Sequence, residues 1–324
     1  MTIVAQGQGV FHVNQIYKLI TFHKFFLLMV AATLVFSAGA ASAIEQPLQG
    51  ANLLLDTYHR NLAKLETNNF GFPLIVESIE RDDSVHVDVY GISLHPFSKV
   101  VNVFKVPANW CDIVFLFPNV KACTYSELPG NEQLTFYIGK KVYQPPEDAS
   151  QLIFNFRNVY LQQGYLDITL NANDGPYGTK DHRIRVEALP IDGGRTFVHI
   201  SYSYSDNIAV RLIEKIYYAT VGRSKIGFTV TGTDGNGNPV YIDGPRGATE
   251  RTAVQCYFAI QSFINTVHYP EESRFSMRIS QWYDLTIRYR KQLFDMDEKD
   301  YLTYKTAEHK NQQALQQRIG TGHQ

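Results

Sequence analysis

RGATERTAVQCYFAIQSFI, residues 246–264, is the stretch on which the reading of the fold turns. After Glu250 and Arg251 the chain has no Asp, Glu, Lys or Arg until Glu271, and apolar residues fall on nearly every side of a helix drawn from Ala248 to His268. A helix that is apolar all round must be enclosed. The only wall the rest of the sequence can supply is a sheet, so the strands are expected to curve around this helix.

Working outward, the sheet announces itself by alternation. LIVESIE (74–80) and SVHVDVYGI (84–92) flank a charged turn, with Val85, Val87 and Val89 alternating against His86, Asp88 and Tyr90; this is a hairpin with one wet face. Further strands are expected at 134–138, 152–161, 165–171, 183–189 and 196–205, the later ones separated by turn signals at Glu147–Ser150, 171–178 and Asp192–Gly194. Helical spacing marks 52–65, through Leu54, Leu55, Tyr58, Leu62 and Leu65. Pro96 and Pro107 open two short helices, the second stopped by Pro118, and Cys123 lies on the strand that follows. Asp206 caps an expected helix through Ile208, Leu212, Ile213, Ile216 and Tyr217. DGNGN (234–238) begins like a calcium loop, but Pro239 and Pro245 stand where such a loop wants glycine and glutamate, so a hairpin turn is the expectation.

The N-terminus reads as a leader. Lys18 and Lys24 are the only charges before Glu45, FFLLMVAATLVF (25–36) is apolar, and SAGAASA supplies small residues at Ala41 and Ala43. That order predicts a secretory signal peptide over 1–43, cleavage after Ala43 and a periplasmic or secreted protein; an uncleaved anchor is the alternative. Removing the two lysines leaves 28 basic against 31 acidic residues, a net of minus 3, with no basic block. Nucleic acid is excluded as an expected partner. An oxidising compartment favours a disulfide between Cys111 and Cys123 with Cys256 left single, against the alternative of three small buried thiols.

The order of these elements resembles the START-like (SRPBCC, helix-grip) superfamily over roughly Gln49–His268, and within it an exported bacterial group. PFSKVVNVFKVPANWCDIVFLFPNVKACTY (96–125) matches the paired short helices and the tryptophan-then-apolar segment; RGATERTAVQCYFAIQSFI matches the gripped helix. The resemblance implies an α+β helix-grip fold over 44–270, a curved antiparallel sheet wrapped around a long C-terminal helix with a hydrophobic cavity between them. It implies binding or carriage of a hydrophobic ligand, lipid, sterol-like or aromatic, with transient membrane contact and no cofactor. Two departures stand out: the helix expected at 206–222, and a helical tail over 271–324 that is expected to dock before fraying.

The chain adds 20 Tyr and 20 Phe, and phenols can orient an amphipathic ligand. Trp110, Tyr202, Tyr204 and Tyr217 are expected to line the cavity. So are Tyr257, Phe258 and Gln261, with Arg246 or Arg251 holding an acidic headgroup at its mouth; pairing of these arginines with Glu250 or Asp243 is the plainer alternative. Filling of core volume is the competing role for each aromatic ring. Arg183, Arg185 and Glu187 share one strand face, expected to meet solvent. The histidines show no metal spacing, and neither GxSxG nor HExxH occurs, so no metal site is expected. On the same fold a cyclase- or hydrolase-type enzyme would draw its acid/base groups from His182, His199 or Tyr202. A third reading makes 271–324 a module for an envelope protein partner, removable with the fold intact.

Overall fold

The computed structural model describes residues 49–321, apart from residues 69, 129–130, 162–163, 208–210, 212–216, 218–219, 221 and 223–224. Helix α1 occupies residues 49–66. The hairpin β1 (Leu74–Glu80) and β2 (Ser84–Ser93) follows, then the short helices α2 (Phe97–Phe104) and α3 (Pro107–Val114). A meander runs through β3 (Val120–Leu128), β4 (Asn131–Ile138), β5 (Ser150–Leu161), β6 (Tyr165–Asp174), β7 (Lys180–Pro190) and β8 (Thr196–Ser205). A small hairpin of β9 (Val230–Thr233) and β10 (Pro239–Tyr241) precedes α4 (Gly244–Thr266). The chain continues through α5 (Glu271–Ile287), α6 (Arg290–Leu293) and α7 (Glu298–Thr321). The leader expected over 1–43 and most of the helix expected over 206–222 lie outside the described residues.

Alternation sets which face of the sheet is covered. Val85, Val87 and Val89 are at most 1% exposed, and across the register Val198, Ile200, Val186 and Ala188 share their face. The strand order β1-β2-β8-β7-β6-β5-β4-β3 is antiparallel throughout, and α4 packs against the β1, β2 and β8 end of it. The α2–α3 pair fills the remainder, α2 against β7 and α3 against β3 and β4. This is the α+β helix-grip fold that the sequence resemblance implies.

The grip is filled by aromatic rings where α4 meets β2. Tyr257 and Phe258 have 0% exposure, and the Tyr257 hydroxyl donates to Ile92 O at 3.2 Å. Phe258 stacks on Tyr289 at 5.5 Å, and Phe72 meets both Tyr257 and Phe258 edge-on. Only glycine at 91 admits the Tyr257 ring: a Cβ there would lie 2.3 Å from its Cε2. Gly91→Ala is therefore expected to cost about 1–3 kcal/mol by overpacking, with Tyr257→Leu in the same chain recovering most of it. Urea denaturation of the two variants measures both effects.

The tail belongs to the same body, since residues 54–324 form one compact unit. Trp282 and Tyr301 are at most 2% exposed and stack at 5.1 Å; Trp282 Nε1 donates to Gln255 O at 3.2 Å, and the Tyr301 hydroxyl to Leu116 O at 2.8 Å. Beneath α7 lies a buried ionic clasp. Lys121 Nζ donates to Pro118 O, Val142 O and Glu308 Oε1 at 2.7–3.0 Å, and Lys305 Nζ to Phe117 O, Val120 O and Glu308 Oε2 at 2.7–3.2 Å. All three side chains are at most 1% exposed.

Candidate functional site

A cleft of about 790 Å³ opens between α3, β3, the end of α4, α5 and α7. The α5 and α7 walls are stripes at helical spacing, and β3 contributes Cys123 and Tyr125 two residues apart. From α3, Ala108, Asn109, the buried Cys111 and Asp112, followed by Phe115 and Leu116, line the cleft, whereas Trp110, Ile113 and Val114 are buried away from its lining. Phe263 and Val267 close it at the end of α4, and Glu271, Arg274, Phe275 and Arg278 present one stripe of α5. The α7 wall is His309, Gln312, Gln313, Gln316, Gln317 and Gly320. A disulfide between Cys111 and Cys123, Cα atoms 4.9 Å apart, ties α3 to β3 and forms part of the lining.

One ion pair joins charged groups of this cleft, Arg278 with Asp112. Arg278 Nη1 donates to Asp112 Oδ2 at 2.8 Å and Nε to Thr266 Oγ1 at 3.3 Å, while its guanidinium lies 4.0 Å over the Phe263 ring. Burial pulls the Arg278 pKa down against the opposing pull of Asp112. Arg274 Nε donates to Tyr269 O at 2.8 Å. His309 stacks on Phe275 at 3.9 Å and 6°, its Nδ1 is buried without a hydrogen-bond partner, and burial holds its pKa below the ordinary histidine value. On the β3 side, Gln312 Oε1 accepts from Cys123 N at 2.7 Å; Gln316 Oε1 accepts from Tyr125 N at 2.9 Å and its Nε2 donates to Tyr125 O at 3.0 Å.

None of the residues expected from sequence to bind ligand lines this cleft. Trp110 is 1% exposed and donates Nε1 to Phe104 O at 2.7 Å, so it closes the α2–α3 corner. Tyr257 and Phe258 fill the grip as described. Gln261 is 6% exposed, with Nε2 buried and unpartnered. Arg246 Nε donates to Ser78 Oγ at 2.7 Å. Arg251 pairs with Asp295 of the tail at 3.1 Å, a partner outside the pairings considered from sequence. Glu250, 0% exposed, instead clamps the 228–229 loop by accepting from Phe228 N, Thr229 N and Thr229 Oγ1 at 2.6–2.9 Å, and also accepts from Ser78 Oγ. Tyr202 and Tyr204 stack with His182 near one end of the sheet, and Tyr217 is 43% exposed. Asp234 accepts from Asn236 N and Asn238 N at 2.8 Å, which makes DGNGN the turn between β9 and β10.

The histidines considered for acid/base work have both ring nitrogens engaged. His182 Nδ1 lies 3.0 Å from the Tyr202 hydroxyl and Nε2 2.9 Å from Thr179 Oγ1. His199, on the face opposite α4, bridges Glu187 and Asp88 at 2.8 Å each. Arg185 and Glu187 sit in the same network rather than in open solvent: Arg185 binds Asp167 through two contacts at 2.7–2.9 Å, and Tyr165 donates to Glu187. Burial alone would lower the His199 pKa, but its bonds to Asp88 and Glu187 outweigh that and raise it above 6.5. Burial would raise Asp88, yet its bonds to His199 and His86 hold it at about 2.

The signs define a window. A histidine raised on folding stabilises below its unfolded pKa, and that contribution is lost as pH rises through the folded value; a depressed carboxylate stabilises above its unfolded value and loses that contribution as pH falls. The network should therefore contribute most between pH about 4 and about 6.5. Asp88→Asn should remove about 2 kcal/mol there and flatten the acid limb, as read by urea unfolding across pH. Equal losses at pH 2 and pH 5 would contradict this assignment.

No protein-family model matches the chain, and no curated protein matches it. Among solved structures, a conserved protein from Geobacillus kaustophilus is similar at 13% identity over 58% of this chain and 97% of that one, with a TM-score of 0.33. The STAR-related lipid transfer protein from Xanthomonas axonopodis is similar at 12% identity over 45% of this chain and 86% of that one, TM-score 0.32. Norcoclaurine synthase from Thalictrum flavum, solved with dopamine and hydroxybenzaldehyde, is similar at 10% identity over 46% of this chain and 82% of that one, TM-score 0.31. No functional residue is carried over from any of them.

The cleft residues on α5 and α7 were not singled out from sequence. The usable signal was their spacing: Glu271, Arg274, Phe275 and Arg278, then His309, Gln312, Gln313, Gln316 and Gln317, each form one helical stripe.

Proposed function

We propose that this is an exported protein that binds an amphipathic, predominantly hydrophobic ligand in the cleft between α3, β3, α5 and α7. The cleft itself carries the reading: its volume of about 790 Å³ falls within the roughly 300–1,000 Å³ of small-molecule sites. Phe275 and Tyr125 are half-buried aromatic rings in its lining, the buried Phe115 and Phe263 lie in the wall beside them, and polar groups gather on α5 and α7. Burying about 400 Å² of ligand at roughly 25 cal/mol per Å² yields on the order of 10 kcal/mol, enough to offset typical association costs. This proposal puts the ligand in a cleft whose outer wall is the tail, whereas the sequence reading put it between the sheet and α4.

The test is native mass spectrometry of the mature protein purified from its own envelope, followed by denaturing extraction. A stoichiometric lipid-like or aromatic mass is expected. It should be lost in Ala108→Trp, which fills the cleft from α3. An apo mass, together with no binding across a lipid panel, would overturn the reading.

A further inference from the structure

Three cations from three separate segments converge on one carboxylate of the tail. Asp295, between α6 and α7, accepts at Oδ1 from Lys141 Nζ at 2.5 Å, Arg251 Nη2 at 3.1 Å and Lys225 Nζ at 3.4 Å, while Gln255 Nε2 reaches its Oδ2 at 3.3 Å. The side chains of Asp295 and Arg251 are 5% and 7% exposed and form a buried floor. The lysines form the rim: Lys141, in the loop between β4 and β5, is 43% exposed, and Lys225, ahead of β9, is 29% exposed. Asp295 is the only hydrogen-bond acceptor of either lysine among the described residues.

Charge is left over at this point. A carboxylate carries one negative charge, and even with Arg251 set aside two ammonium groups share it. Partial burial, together with repulsion from Lys225 and Arg251, lowers the Lys141 pKa although Asp295 opposes the shift. An ammonium has three donors, and each lysine gives one to Asp295, so two N–H groups remain on each. Because both nitrogens touch the same oxygen, they are no further apart than the sum of the two contact distances. Surplus positive charge with free donors converging at one opening suits an anion with several oxygens. A phosphate monoester brings a charge of about −1.5 to −2 at pH 7 and three strong acceptor oxygens, and lysine binds phosphate as a point charge. A ligand carboxylate would bring one charge and two oxygens, which Asp295 already supplies.

We infer that Lys141 and Lys225 form a binding site for a phosphate monoester, borne by a soluble phosphorylated compound or by the head of a phosphorylated lipid. The site lies outside the lining of the cleft and does not depend on the reading given to it. The soluble source is probed by calorimetry of the mature protein at pH 7 in low salt, with glycerol 3-phosphate as ligand and glycerol as the uncharged control. A Kd of about 1 mM or tighter is expected for the ester and no binding for glycerol. Lys141→Gln and Lys225→Gln, on different segments and both at partly exposed positions, should each weaken binding on the order of tenfold, whereas Lys141→Arg should retain it. The lipid source is probed by sedimentation with phosphatidylcholine vesicles carrying phosphatidate, against vesicles carrying phosphatidylserine at matched surface charge. Phosphatidate-selective binding that both glutamine variants lose assigns the site to a lipid head; glycerol 3-phosphate binding without vesicle binding assigns it to a soluble ester, and either result supports the inference. No saturable binding of either probe, or binding unchanged when both lysines are replaced by glutamine, overturns it.

Discussion

Glu308→Ala is expected to lower the unfolding free energy by about 3–5 kcal/mol, the usual cost of leaving a buried charge uncompensated. The clasp makes this loss steep because one carboxylate serves two ammonium groups, Lys121 and Lys305, neither more than 1% exposed. Their remaining acceptors are the carbonyls of Pro118, Val142, Phe117 and Val120, which neutralise nothing. Burial lowers both lysine pKa values, that of Lys305 to about 7. A lysine with a depressed folded pKa holds fewer protons folded than unfolded, so stability rises with pH across that interval. The deficit of Glu308→Ala should accordingly shrink between pH 7 and pH 10, where the stranded ammoniums discharge. Urea denaturation at the two pH values measures it; a loss under about 1 kcal/mol at pH 7 would mean that the clasp is not load-sharing in the folded state.

Ending the chain after Asp297 is expected to abolish folding. The truncation deletes Glu308 and the buried Tyr301, uncovers Trp282 and leaves Lys121 in an apolar site without its counter-ion. Loss of a buried aromatic alone costs about 3–5 kcal/mol. Added to the stranded lysine, it consumes most of the roughly 5–15 kcal/mol by which domains are stable. Size exclusion and thermal melts followed by circular dichroism give the answer: aggregate or a non-cooperative melt is expected. A soluble monomer melting near the full chain would restore the reading of 271–324 as a removable module.

How much the sequence revealed depended on whether the signal was local. Val85, Val87 and Val89 against His86, Asp88 and Tyr90 disclosed both the hairpin and its faces, since alternation is a property of neighbouring residues. The uninterrupted apolar run of α4 disclosed an enclosed helix for the same reason. Docking of the tail was legible in the sequence and holds, with Trp282, Leu285 and Leu293 buried, but its ionic contribution was hidden. KTAEHKNQQALQQ (305–317) looks like a solvated helix, yet Lys305, Glu308 and Gln312 in it are buried, because their partners lie some 185–189 residues away on β3 and just before it. Hydropathy cannot see a charge matched at that distance. The aromatics were ambiguous in another way, since a ring that lines a cavity and a ring that fills one have the same sequence; the approach of Tyr257 to Gly91 distinguishes them only in three dimensions.

β3 ends the strand order, and what lies beyond it is not a strand but the series Glu308, Gln312, Gln316 meeting Lys121, Cys123 and Tyr125. The match is one of rulers. Four helical residues advance about 6 Å and two strand residues about 6.6 Å, so a helix can present a side chain to every second residue of a strand while the two scales stay in step. At Gln316 the primary amide stands in for a detached peptide unit, giving and taking one hydrogen bond as a neighbouring strand would. The scales part by about 0.6 Å at each step, and the next position in the series, Gly320, has no side chain to extend. A helix can therefore finish a sheet only for about as long as this one does, and a longer exposed edge would have required another strand.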